Sequence, residues 1–146
     1  AKNLPQAELT YDIIDLADFD LPFLDESEMP QTGTYQHEKT KRWSEKIAAY
    51  AGFIFIVPQY NWGYPAVLKN ALDYLYCEWQ GKPACLVTFG GHGGSQVMQG
   101  LKMPVLSVAP MITLSPSASP SEALKTLSTY EPLLPALAAE FKRSLS

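Results

Sequence analysis

Cysteine is scarce in this sequence: Cys77 and Cys85 are the only two. Their spacing matches no zinc-binding or redox signature, so reduced thiols in a cytoplasmic protein are expected. No apolar run approaches the roughly 20 residues that cross a bilayer. The opening Ala1–Tyr11 has no basic region followed by an apolar one, so it does not read as a secretion signal. Lysine and arginine form no run either. Their densest stretch, Lys39–Lys46, lies in a mixed-sign segment, and the net charge is −4. Nucleic acid and membrane are therefore set aside as main partners. There is no internal repeat, and Ser115–Pro120 (SPSASP) is too short to be more than a loop. The remainder is ordinary globular composition, 47% hydrophobic and 18% charged over 146 residues. That suits a single domain, 1–146, with one core.

Leu9–Leu16 (LTYDIIDL) mixes β-branched, aromatic and acidic residues and reads as a strand of a partly buried sheet. Asp18–Pro30 is loop-like. Tyr35–Tyr50 predicts a helix, with Trp43, Ile47 and Tyr50 or Ala51 on one face and charges on the others. Gly52 stops it. Phe53–Val57 (FIFIV) is continuously apolar, as in a parallel strand covered on both faces. Ala66–Tyr76 is a second helix, with Pro65 near its first position. Ala84–Phe89 is another buried-type strand, and Val105–Ala109 and Ile112–Leu114 form a last strand region. Ser119-Pro120-Ser121-Glu122 looks like a capping box opening a helix that Pro132 and Pro135 break, and Ala136–Leu145 closes the chain as a helix. This alternation predicts an open α/β sheet, in which ligands bind beyond the carboxyl ends of the strands. Both conspicuous loops, Pro58–Pro65 and Gly90–Gly94, fall at that end.

A flat amphipathic ring needs a rigid shelf, aromatic surface and backbone groups for its polar edge. Pro58 restricts the first loop. Tyr60, Trp62 and Tyr64 supply aromatic area, and Asn61 offers both a donor and an acceptor. The plain alternative is a strand-to-helix turn whose aromatics merely cap the core, and the residues alone leave the two open.

The pattern extends further. Pro58-Gln59-Tyr60-Asn61, followed by Pro65-Ala66-Val67-Leu68-Lys69-Asn70-Ala71-Leu72-Asp73, resembles the P-E-Y-N-x-x-x-P-x-x-L-K-N-A-L-D segment of the NADPH-dependent FMN reductases. Gly81-Lys82-Pro83, the strand after it, and Gly90-Gly91-His92-Gly93-Gly94 resemble that family's second block. Asp15–Glu26 looks like its post-strand segment. The resemblance implies a flavodoxin-like open parallel sheet, order 2-1-3-4-5, flanked by helices. It implies that Pro58, Gln59, Tyr60 and Asn61, with Trp62 as aromatic surface, line the isoalloxazine ring of FMN. Gly90, Gly91 and His92 would approach its pyrimidine edge. Hydride would pass from the co-substrate NAD(P)H through FMN to a small-molecule acceptor such as a quinone, free flavin or azo dye. No catalytic protein residue and no metal are implied, because the flavin is the reactive group. A homodimer is implied by the same resemblance.

The sequence departs from the family in three places. Gln59 replaces the usual glutamate, a change of small expected effect if the backbone makes the flavin contact. The family's first strand and its serine-rich phosphate loop do not appear ahead of Ala1-Lys2-Asn3-Leu4-Pro5. The expectation is that residues 1–146 are segments of a longer protein, the alternative being a truncated or spliced form unable to bind FMN. Ser95–Gly100 is also shorter than the family's helix there, and less than a parallel crossover normally needs. The rival readings are a flavin-free flavodoxin-like binding or scaffold protein and, more weakly, an electron-transfer flavodoxin.

Overall fold

The structure, a computed structural model, describes residues 9–101, 107–108, 112–114 and 131–145. Its frame is a parallel sheet. Strand β1 (Phe53–Pro58) pairs with β2 (Pro83–Phe89) in the register Phe53 to Ala84 through Pro58 to Phe89. Strands β3 (Ser107–Val108) and β4 (Ile112–Leu114) also pair with β2 in parallel, the first at Pro83–Ala84 and the second at Val87–Phe89. The three adjacent positions of the expected sheet order are thus present, each reached by the connections that parallel pairing demands.

The crossovers are helical. Helix α1 (Glu38–Ala48) precedes β1, α2 (Ala66–Asp73) follows it, α3 (Ser95–Leu101) follows β2, and α4 (Leu134–Leu145) packs against β2. Thr40, Trp43 and Ile47 recur at helical spacing and form the buried face of α1. Pro65 caps α2 from just outside the helix, where its missing N–H leaves no bond unmade. The short α3 is no obstacle to the crossover. Counted from Phe89, the connection to β3 spans 90–106, so with the glycine loop included it exceeds the dozen residues that a parallel crossover needs.

The core is aromatic. Phe53 stacks edge-on against Trp79 at 5.0 Å between ring centroids, and Trp43 meets Trp79 at 6.3 Å. Each buried indole satisfies its N–H: Trp43 Nε1 donates to the Ala71 carbonyl at 2.9 Å and Trp79 Nε1 to the Leu72 carbonyl at 3.2 Å. Truncating either would cost about 3–5 kcal/mol. Those two bonds bind α2 to the α1 side of the sheet.

Two expectations fail. Residues 9–16 form no strand; they run as irregular chain into a short 3-10 turn at Leu16–Asp18. Strand propensity needs a ladder partner, and no described residue pairs with β1 on its outer edge. The segment is held by side chains instead: Asp12 accepts from Lys46 Nζ at 3.0 Å and from the Tyr50 hydroxyl. The second is that β1 is covered on both faces: Phe53 and Val57 are buried on one, but Ile56 on the other is 71% exposed. The capping box at Ser119–Glu122 and part of Val105–Ala109 lie outside the described residues. Pro132 lies inside a 3-10 turn (Glu131–Leu133) that leads into α4, and Pro135 falls in the first turn of that helix.

Candidate functional site

Pro58 ends β1, and the next N–H, that of Gln59, donates to the Phe89 carbonyl at 2.7 Å. This bond carries the ladder one residue past the strands and brings the two loops together. Tyr60 and Gly63 then exchange both backbone hydrogen bonds at 2.9 Å, closing a two-residue hairpin turn. Its central residues, Asn61 at φ 47° and Trp62 at φ 69°, show the paired positive φ of a type I′ turn. Asparagine tolerates that region, whereas tryptophan pays roughly 1–2 kcal/mol to enter it.

The turn does not cap the core. Tyr60 is 63% and Trp62 70% exposed, while Tyr64 alone of the three packs against the buried cluster. The plain alternative therefore fails for the two rings that matter most.

The glycine loop is built to approach closely. Gly90 sits at φ 144°, and a Cβ there would lie 2.7 Å from Gln59 Cβ. Gly91 faces open space, with nothing within 4 Å of where its Cβ would stand. No described residue accepts from the N–H groups of Gly91 or His92. Thr88, fully buried, pins the loop from below by donating its hydroxyl to the Gly93 carbonyl at 3.2 Å. His92, at φ 56°, aims its ring towards Trp62 with centroids 6.3 Å apart.

Of the eight residues singled out from the sequence, Pro58 ends β1 and the other seven lie on two loops that adjoin at the carboxyl ends of β1 and β2. The Gln59 side chain is not neutral scenery: its Nε2 donates to the Gly91 carbonyl at 3.0 Å, and its Oε1 accepts from the N–H of Gln96 at 3.2 Å and of Val97 at 3.4 Å. A glutamate lacks that donor. Sequence reasoning missed Thr88, Gln96 and Val97. Their only signal was adjacency to the glycine block, and Ser95–Gly100 read as a shortened crossover. The Gln96 Oε1 is buried and has no partner among the described residues, an orphaned acceptor beside the shelf. The shelf itself is open; a separate cleft of about 290 Å³ lies beside the start of α1, between Pro22, Asp25, His37 and Tyr74.

The motif Lys69–Asp73 serves structure rather than the shelf. Asn70 Nδ2 donates to the Pro22 carbonyl at 2.7 Å and its Oδ1 accepts from Leu24 N–H at 3.2 Å. Lys69 pairs with Asp73 along the helix.

A parallel α/β sheet flanked by helices, with paired loops at its carboxyl edge, defines a flavodoxin-like protein. The flavoenzyme NAD(P)H:(acceptor) oxidoreductase FerB from Paracoccus denitrificans has this fold: it superposes with a TM-score of 0.72 at 20% identity, covering 95% of this chain and 84% of its own. The family model for NADPH-dependent FMN reductase matches residues 1–124, and the chain belongs to that family. It is 47% identical over 118 residues to an NAD(P)H-dependent FMN reductase of Schizosaccharomyces pombe, covering 75% of this chain and 59% of that protein. With an NAD(P)H-dependent FMN reductase of Saccharomyces cerevisiae it shares 38% identity over 154 residues, 95% of this chain and 81% of that one. The chain thus spans less than two thirds of the first relative's length.

Proposed function

We propose that the protein is an FMN-dependent oxidoreductase that passes a hydride from NAD(P)H to a small-molecule acceptor, a quinone, free flavin or azo compound. The observation that carries this is the shelf: two loops from adjacent strands, bonded to each other, that present on one side exposed rings and backbone donors with no acceptor among the described residues. The residues fit an isoalloxazine ring. Gly91 leaves open the space that a Cβ would fill, and the N–H groups of Gly91 and His92, which meet no acceptor among the described residues, suit its pyrimidine carbonyl edge. Pro58, Gln59, Tyr60, Asn61 and Trp62 form the other border. Family membership and the names of the two yeast relatives support the same cofactor and the same electron donor.

When bound, FMN supplies the hydride acceptance and donation that no protein side chain can supply. The chain's part is to bind and orient. Gly90 allows the close approach, Trp62 and Tyr60 offer aromatic surface, and Asn61 and His92 provide polar groups at the rim. Homodimerisation belongs to this reading, supported by the exposed Tyr60, Trp62 and Val67 around one turn. A cytoplasmic location agrees with two cysteines that form no disulfide. No helix among the described residues is long and apolar enough to cross a membrane.

Titration of FMN into the purified protein, followed by flavin fluorescence, tests the reading. Saturable one-to-one quenching, with bleaching of the flavin on adding NADPH, is expected. Absence of binding well above micromolar FMN would instead favour a flavin-free binding protein on the same scaffold.

A further inference from the structure

The carboxamide of Gln59 uses both of its ends, and they reach different elements. Its Nε2 donates to the Gly91 carbonyl in the glycine loop, at 3.0 Å. Its Oε1 accepts from Gln96 and Val97 in the first turn of α3, at 3.2 and 3.4 Å. The Gln59 backbone meanwhile bonds Phe89 at the end of β2. One half-buried residue therefore joins the 58–65 turn to both segments that follow β2.

We propose that Gln59 is a positioning residue, a latch that preforms the flavin shelf before any ligand arrives; this rests on the FMN reading above. A latch that holds at every pH uses an amide. Among side chains of this length, only glutamine carries a donor and an acceptor on one planar group. An ionised glutamate keeps the bonds from Gln96 and Val97 but sets an oxygen against the Gly91 carbonyl oxygen. Protonated, it regains a donor. Substitution by glutamate therefore converts a permanent latch into a pH-dependent one, closed in acid and open in base. Among the described residues, the other titratable groups on the two loops are His92 on the glycine loop and Tyr60 and Tyr64 on the turn. β1 and α3 carry none, and β2 carries only Cys85, at its middle. All of these stay the same in the variants, so comparison with wild type isolates position 59.

The test compares wild type, Gln59→Glu and Gln59→Leu in two measurements. The first, without flavin, is amide hydrogen exchange at Gln96 and Val97. Loss of the acceptor in Gln59→Leu should speed both about tenfold, while Gln59→Glu stays near wild type. The second is FMN affinity from about pH 8 to about pH 4, crossing the ordinary range of glutamate protonation. Gln59→Leu should bind roughly fivefold more weakly throughout. Gln59→Glu should match it at the alkaline end and recover towards wild type at the acid end. Wild-type exchange and wild-type affinity in Gln59→Leu would overturn the latch, as would a pH-independent, wild-type affinity in Gln59→Glu. If wild type itself binds no FMN, the functional reading falls, and the exchange measurement alone judges the latch.

Discussion

The Trp62 indole and the His92 imidazole face each other from different loops, 6.3 Å between ring centroids and 52° between planes, and both residues hold a positive φ. Neither backbone conformation is cheap for a residue with a Cβ, and strain of this kind persists only where surrounding bonds impose it. Here the Tyr60–Gly63 hydrogen bonds impose it on Trp62, and the bond from Gly93 N–H to the Gly90 carbonyl, at 3.1 Å, holds the turn containing His92. The result is a pair of rings held out from the protein at the proposed ligand shelf.

Replacing Trp62 with glycine separates strain from function. Relief of the unfavourable φ should leave the unfolding free energy unchanged or raise it by up to about 1 kcal/mol, while FMN binding weakens. Urea unfolding and FMN titration of the same preparation check this. A stability loss of more than about 1 kcal/mol would mean that the indole holds the turn, rather than the turn holding the indole.

Gly90 and Gly91 should respond oppositely to alanine. At Gly90 the new methyl would meet Gln59 Cβ at 2.7 Å on a backbone at φ 144°, so Gly90→Ala should destabilise the fold by about 2 kcal/mol or more. Gly91 has free space around the same position, so Gly91→Ala should unfold like wild type yet bind FMN at least about tenfold more weakly, having lost the close approach. Equal FMN affinity in Gly91→Ala and wild type would remove the glycine loop from the flavin site.

Asn70 is expected to matter through the loop it holds. Its amide bonds the Pro22 carbonyl and the Leu24 N–H, and Tyr74 adds a hydroxyl bond to Pro22 at 2.9 Å. Asn70→Ala should lower stability by about 1–3 kcal/mol in denaturant unfolding, with wild-type FMN affinity in the folded protein. A selective loss of FMN binding would place this residue at the ligand instead.

Acid should release segment 9–16 before it affects the sheet. Hydrogen bonds from Tyr50 and Lys46 hold the Asp12 carboxyl at about 2, below its ordinary 3.8. A depressed folded-state value stabilises above the unfolded value and loses that contribution as pH falls through the folded one. The tether is therefore complete above about pH 4 and lost towards pH 2. Carboxyl-carbon NMR of Asp12 should show a midpoint near 2; a midpoint near 4 would mean that the segment is not held.

The two thiols should differ in reactivity. Burial pushes the Cys85 thiol up to about 11, whereas Cys77 is exposed. Iodoacetamide on the native protein at mildly alkaline pH should therefore label Cys77 alone, with Cys85 reacting only after denaturation. Mass spectrometry of the peptides reads this directly, and native labelling of Cys85 would show that the centre of β2 opens readily.

Local sequence was enough for much of this protein. Continuous apolar runs made β1 and β2, helical spacing of Thr40, Trp43 and Ile47 made the buried face of α1, and proline and glycine marked where chain direction changes. The chemistry-bearing loops were legible for the same reason: the residues that shape a turn are the residues in it. Segment 9–16 shows the limit. Its composition suits a strand, but a strand exists only through a partner, and none of the described residues supplies one. Tertiary structure alone decided that Trp62 and Tyr60 point outward and that Gln59 bonds residues as distant as Gly91, Gln96 and Val97. Those contacts join positions more than thirty residues apart. Parallel pairing of β1 and β2 brings them together, and no local pattern encodes a distance that only sheet register sets.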